Sequence, residues 1–351
     1  MPRADGRRRL RITAVTAAFA VSLLAARTTI PAIPAVMPLA AHPAHPAQIA
    51  SAPHRVEGQV ILASAGGDSA VAGTWVTLHR VGPDSSGPLD SVRTDAAGMY
   101  SFRYDAGGSG EAVHFASVAY DGIVYFTPPL ADMLVTGDAA QITVFESSSS
   151  PSVDISIEGR HIIVAAASES GARRVIEVFE LANDSAVTRV AHSDTGSVWV
   201  SILPDGATGF AVQEGDPAAG SLAAQDGRVR LVAPFAPGLK QVAYSYELPT
   251  GAFPLAIPVT ESTAVLEVLI EEPTGRASGA GLQEVEAVTV EGRDFRRYLA
   301  LDVQPGQVLR LDAPRDMSAR RATTIIVTMS VVAVAMLLAL AFTLVRGRRR
   351  E

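Results

Sequence analysis

The sequence predicts an all-β ectodomain held to a membrane by one C-terminal α-helix. Three observations carry that expectation. Apolar and polar residues alternate at period two in many short runs, punctuated by Gly, Pro and Asp turns. An Arg-flanked apolar stretch opens the chain. A 24-residue stretch with no charge, Pro or Gly lies just before its end. The ectodomain is expected as an N-terminal antiparallel sandwich followed by a second, larger β-sandwich region.

Residues 1–11 carry Arg3, Arg7, Arg8, Arg9 and Arg11 against Asp5, and residues 12–26 follow without charge. Those 15 residues are too short to span a hydrocarbon core of about 30 Å comfortably as a helix. Residues 1–26 therefore read as a secretory signal peptide, with cleavage after Ala26 or as late as Ala41. Residues 27–54 form a Pro/Ala-rich linker, in which Pro31, Pro34, Pro38, Pro43, Pro46 and Pro53 deny a regular element.

The first β module is expected over 55–146. In the strand at 74–80, Val76 and Leu78 share one face, and Trp75, Thr77 and His79 share the other. Tyr100, Phe102 and Tyr104 share a face opposite Ser101, Arg103 and Asp105. Further strands are expected at 113–120, 123–126 and 141–145, with turns at 65–68, 82–84 and 95–98. Asp95 is suited to cap its own turn, and Gly98 to adopt positive φ.

An ordered set of residues in this stretch carries a resemblance. It comprises Gly58 and Val60, Ala72 and Gly73, Val76 and Leu78, then Thr94, Asp95, Gly98, Tyr100 and Phe102. In these, residues 56–146 resemble the carboxypeptidase regulatory-like domain, a transthyretin-like β-sandwich. The resemblance covers about a quarter of the chain and implies an accessory folding, adhesion or presentation module without catalytic residues.

A Ser-rich linker at 147–152 precedes the second β-rich region, 153–312. Strands are expected there at 154–157, 162–166, 175–181, 197–202, 228–232, 241–247, 264–270 and 286–290. The region reads as one large sandwich or as two small ones divided near 249–253. Residues 322–345 are expected to form a helix of about 36 Å, enough to cross a bilayer with some tilt. The basic tail, 346–351, is then expected to be cytoplasmic, with no room for a signalling domain.

Residues 28–321 carry −15, the whole-chain −7 once +5 at residues 1–27 and +3 at residues 322–351 are set aside. So acidic an ectodomain argues against nucleic acid and anionic lipid as partners. The chain has no cysteine, which removes disulfides, thiolate metal sites and thiol nucleophiles.

Several motifs imitate chemistry. His54 and Glu57 have the H-x-x-E spacing of a metallocarboxypeptidase, with His161 and His192 as third ligands, but no α/β domain surrounds them. Gly67-Asp68-Ser69 lacks the glycine pair of a serine-protease nucleophile, and Gly107, Gly108 and Gly110 precede no helix and lysine. His42, His45 and His54 sit in the Pro-rich stretch as candidate copper or zinc ligands, more simply read as a spacer. Trp75 and His79 suit a sugar or protein contact if exposed, although such residues more often pack under a neighbour. Asn183 begins an N-x-S sequon, and Ala335 with Ala339 makes a small-xxx-small pair in the span.

The expected function is therefore a non-enzymatic structural, interaction or accessory subunit of the bacterial cell envelope. It has no catalytic residue, cofactor or metal, and its partner is an envelope protein. The rival readings are a metal-handling or hydrolytic protein using His42, His45 and His54, and a receptor working with a membrane partner.

Overall fold

In the first module, period two in the sequence becomes period two in burial. Its strands are β1 (His54–Leu62), β2 (Ser69–Ala70), β3 (Trp75–Val81), β4 (Ser86–Arg93), β5 (Met99–Tyr104), β6 (Val113–Tyr120), β7 (Ile123–Phe126), β8 (Leu134–Thr136) and β9 (Ile142–Val144). The computed structural model describes residues 53–108, 110–193 and 195–313, all within one unit of the chain. Sheet β4-β3-β6-β7 packs over the sheet built on β1, β2 and β5, with β8 and β9 also paired to β1. Val56, Val60, Val76, Leu78, Tyr100, Phe102, Ala116, Val118 and Ile142 fill the space between the two sheets.

The expectation of a purely antiparallel sandwich needs one correction. β1 pairs antiparallel with β2 and β5 but parallel with β8 and β9. After β7 the chain crosses to the other sheet through residues 127–133, so β8 enters at the same end as β1. The turn before β5 forms as its residues require. Asp95 Oδ1 accepts the amides of Ala97 and Met99, each at 2.8 Å, and Gly98 has φ +73°. A Cβ on Gly58 would strike Ala140 O and the Tyr100 ring, whose hydroxyl donates to Ala140 O at 2.6 Å.

The second region contributes β10 (Ser147–Ser148), β11 (Ser156–Val164), β12 (Arg173–Asn183), β13 (Thr188–Arg189), β14 (Trp199–Ile202), β15 (Thr208–Val212), β16 (Leu222–Gln225) and β17 (Arg228–Leu231). It continues with β18 (Gly238–Leu248), β19 (Leu255–Pro258), β20 (Thr263–Ile270), β21 (Arg276–Gly279), β22 (Gln283–Val290), β23 (Arg293–Val303) and β24 (Val308–Asp312). One sheet, β15-β18-β12-β11-β20-β23-β22, draws strands from both sides of residues 249–253, so this is one sandwich. Two smaller sheets, β14-β17-β16 and β19-β24-β21, share a single apolar core with it. The expected strands at 154–157 and 162–166 are one strand, β11, which a bulge between Ile157 and Gly159 carries past Glu158.

The Ser-rich segment between the modules is tied down. Ser147–Ser148 pairs parallel with Thr188–Arg189, and Ser147 donates through N and Oγ to Asp121 Oδ2 at 2.9 and 2.6 Å. Those hydrogen bonds, the side-chain one foremost, hold the Asp121 carboxyl below its usual range. Among the described residues no helix is long and apolar enough to cross a membrane. The expected signal peptide, the linker through residue 52 and the span at 322–345 lie outside them.

Candidate functional site

The alternation that buries Val76 and Leu78 necessarily turns Trp75, Thr77, His79 and Val81 away from the core. Sheet register places Val113, Phe115 and Ser117 of β6 beside them, then Val124 and Phe126 of β7. Among the described residues no element covers this side: Trp75 is 54%, Val124 50% and Phe126 57% exposed. The rings form a ladder across three strands. His79 stacks on Phe115 at 5.1 Å between centroids, and Phe115 meets Phe126 edge-on at 5.7 Å. His79 Nε2 lies 2.8 Å from Ser117 Oγ, and the Arg93 guanidinium sits 4.9 Å from the centre of the Trp75 ring. An apolar, aromatic and nearly uncharged face on an acidic body has the character of an interaction surface.

The same face runs into a groove between the modules. Ile123, Val124, Tyr125 and Phe126 all line it, as do Ala233, Pro234, Phe235 and Ala236 opposite, around a cavity of about 410 Å³. Four consecutive strand residues have alternating side chains, so only the backbone edge of β7 presents them all to one cavity. Thr188 and Phe145 also line the groove. The Tyr125 hydroxyl donates to Phe145 O at 3.1 Å and lies 2.8 Å from Thr188 Oγ1, joining the two modules. Burial raises its pKa.

Among the described residues buried charge also lies away from this face, including the Arg173–Glu272 pair at 2.6 Å. At one end of the first sandwich, Tyr104 lies between His54 and His114, with ring centroids at 5.4 and 4.9 Å, and Arg80 stands opposite His114 across β3 and β6. Desolvation, then the charges of Arg80 and His54, lower the His114 pKa. In the apolar core of the larger sandwich, Arg160 pairs with Glu177 at 2.7 Å. On the other side of that sheet, His161 Nδ1 lies 2.7 Å from Glu267 Oε2, and Arg297 donates to Glu267 Oε1 at 2.5 Å. Desolvation pushes the Glu267 carboxyl up, but His161 and Arg297 outweigh it and hold the pKa down. Glu180 beside them is raised, first by desolvation.

The motifs that imitate chemistry are taken apart by the fold. His54 turns toward the core side of β1 while Glu57 is exposed, because residues three apart on a strand point to opposite faces. His161 is buried in the large sheet and His192 is exposed in a loop. Among the described residues no three His, Asp or Glu side chains are placed to hold a metal ion. His42, His45, Ala335 and Ala339 lie outside the described residues. Gly67 and Asp68 lie in an exposed loop leading into β2, whose first residue is Ser69, and Gly108 packs beside the Arg80–Asp84 ion pair. Asn183 is 1% exposed and donates its amide to Val187 O and Phe235 O, which removes it as a glycan acceptor. Trp75 is open to solvent rather than packed under a neighbour. Phe115, Val124 and Phe126 were not singled out in the sequence. The signal for the last two was the Asp121-Gly122 hairpin turn, which sets the register of β6 on β7.

No protein-family model and no curated protein matches the chain. Among solved structures, the full-length RrgB pilus protein from Streptococcus pneumoniae is similar over 75% of this chain, at 9% identity and a TM-score of 0.18. The match spans 62% of that pilus protein's length.

Proposed function

We propose that this chain is a non-catalytic, membrane-anchored subunit of the bacterial cell envelope that binds a partner protein through the open face of β3, β6 and β7. The observation that carries the reading is one sheet face with Trp75, Val124 and Phe126 exposed and His79 and Phe115 half-buried among them. Apolar side chains gathered on one exposed face gain free energy when another surface covers them. The Arg-flanked ends of the sequence support an extracytoplasmic ectodomain with a cytoplasmic C-terminus. The first module is proposed to be transthyretin-like. The Asp95 turn, the positive φ of Gly98 and the inward Tyr100 and Phe102 support that assignment.

Two measurements on cells test the proposal. Protease added to intact spheroplasts is expected to degrade the ectodomain and leave a small membrane-bound C-terminal fragment. A photo-crosslinking residue at Trp75 or Phe126 is expected to give one discrete protein adduct. The same residue at Leu301, which is exposed in the second module, serves as the control. Equal labelling at all three positions refutes the docking role, and full protection from protease refutes the topology.

A further inference from the structure

Among the described residues no other strand occupies the outer edge of β7. β7 pairs with β6 alone and ends the sheet β4-β3-β6-β7. Asp121-Gly122 closes a two-residue hairpin between Tyr120 and Ile123, and the Thr127 amide donates to Ala116 O at 2.9 Å. Antiparallel alternation then turns the main-chain groups of Ile123, Tyr125 and Thr127 toward β6. It turns those of Val124 and Phe126 outward, into the groove. Among the described residues, no backbone hydrogen bond reaches β7 from the groove side.

We propose that this groove receives an extended segment of a partner polypeptide. The segment adds to the sheet as a fifth strand beside β7 and sets a carboxylate against Lys240. This deepens the interaction reading above and rests on it. The main-chain groups of Val124 and Phe126 supply two donors and two acceptors at alternating positions, as strand addition requires. Val124 and Phe126 on one side, and Leu231, Ala233, Phe235 and Ala236 on the other, form apolar walls for the segment's alternate side chains.

Charge selects among occupants. Lys240 lines the groove with its ammonium 5.8 Å from the Phe235 ring centre and makes no ion pair among the described residues. The carboxylate that shares the groove, Asp216, accepts the Gln241 amide at 2.5 Å. A second copy of this chain is disfavoured as occupant. The wall at 233–236 makes the site concave, admitting one extended chain rather than the edge of a folded sheet, and two ectodomains of −15 repel. The chain's own linker is disfavoured because prolines at 31, 34, 38, 43 and 46 lack the amide hydrogens a ladder needs.

The test uses the full-length chain in detergent and a random nonapeptide phage library. Enriched peptides are expected to alternate apolar residues, avoid Pro and carry an Asp or Glu, and each is then made synthetically. N-methylation of alternate peptide amides is expected to abolish binding in one phase and spare it in the other. Ala233→Arg, which fills the groove, is expected to abolish binding. Lys240→Ala should weaken acidic peptides about tenfold or more. No enrichment, indifference to the methylation phase, or unchanged binding to Ala233→Arg overturns the proposal. If the Trp75 adduct in cells survives Ala233→Arg, the open-face reading stands while the strand-addition reading falls.

Discussion

Arg160 donates through Nε and Nη2 to a single carboxylate oxygen of Glu177, at 3.0 and 2.7 Å, inside the apolar core of the larger sandwich. Tyr246 donates to the other carboxylate oxygen at 2.8 Å, and the Arg160 guanidinium lies 5.1 Å from the Phe179 ring centre. The pair joins β11 to β12 at the middle of the seven-stranded sheet. Its two charges have left water, and each depends on the other for neutralisation.

Removing one member strands the other. Glu177→Ala is expected to destabilise the 50–315 fragment by about 3 to 5 kcal/mol, whereas Arg160→Met combined with Glu177→Leu costs much less. Urea midpoints of the single and double variants check this. Equal losses would show that packing, not the stranded charge, dominates.

Gly98 has φ +73°, and a Cβ there would lie 2.7 Å from Val60 O. Gly98→Ala is expected to cost more than about 1 kcal/mol, since the native backbone is strained for alanine. Phe102→Ala, which empties the center of the first core, is expected to cost about 3 to 5 kcal/mol. Both shifts are read from the urea midpoint.

Acid should loosen the first module. The His114 pKa is lowered in the folded state by desolvation and by the facing Arg80 and His54 charges, with Tyr104 packed between the two imidazoles. The unfolded chain therefore takes up the proton first, starting near the ordinary value of about 6.5. The stability present above that pH is lost as pH falls from it through the lower folded value. His114→Phe is expected to flatten the fall. Unfolding midpoints between pH 7.5 and 5 show whether it does.

Tyr125→Phe removes the hydroxyl that bonds Phe145 O and sits against Thr188 Oγ1, and Thr188 is fully buried. The expected loss is about 1 to 2 kcal/mol, with a non-zero coupling to Thr188→Val in a double-mutant cycle. Additive effects would mean the hydroxyls do not join the modules energetically.

Much of the first module was legible in the sequence because alternation and turn chemistry are local. Strands β6 and β7 match their expected bounds, and Asp95 and Gly98 behave as their chemistry demands. Strand β4 was not among the expected strands, and Gly87 and Pro88 interrupt any alternation there. At a sheet edge, beside the irregularity between Leu78 and His79, a missing amide hydrogen is tolerated. Strand β23 was also not among the expected strands, and its arginines find their partners only in the folded chain. Arg293, Arg296 and Arg297 meet Glu271, Glu284 and Glu267 from elsewhere in the chain.

The candidate surface divides the same way. Sequence alone determined that Trp75 and His79 share a face opposite Val76 and Leu78, because pleating makes side chains alternate whatever lies above them. Whether that face meets water was a matter of tertiary structure, since exposure depends on which distant segments pack against it. Among the described residues the fold covers the inner face with β1 and β5 and leaves Trp75, Val124 and Phe126 on the outer one exposed. The groove was decided at the same level. Its walls, β7 and residues 233–236, are more than a hundred residues apart in the chain and meet only because the two modules dock.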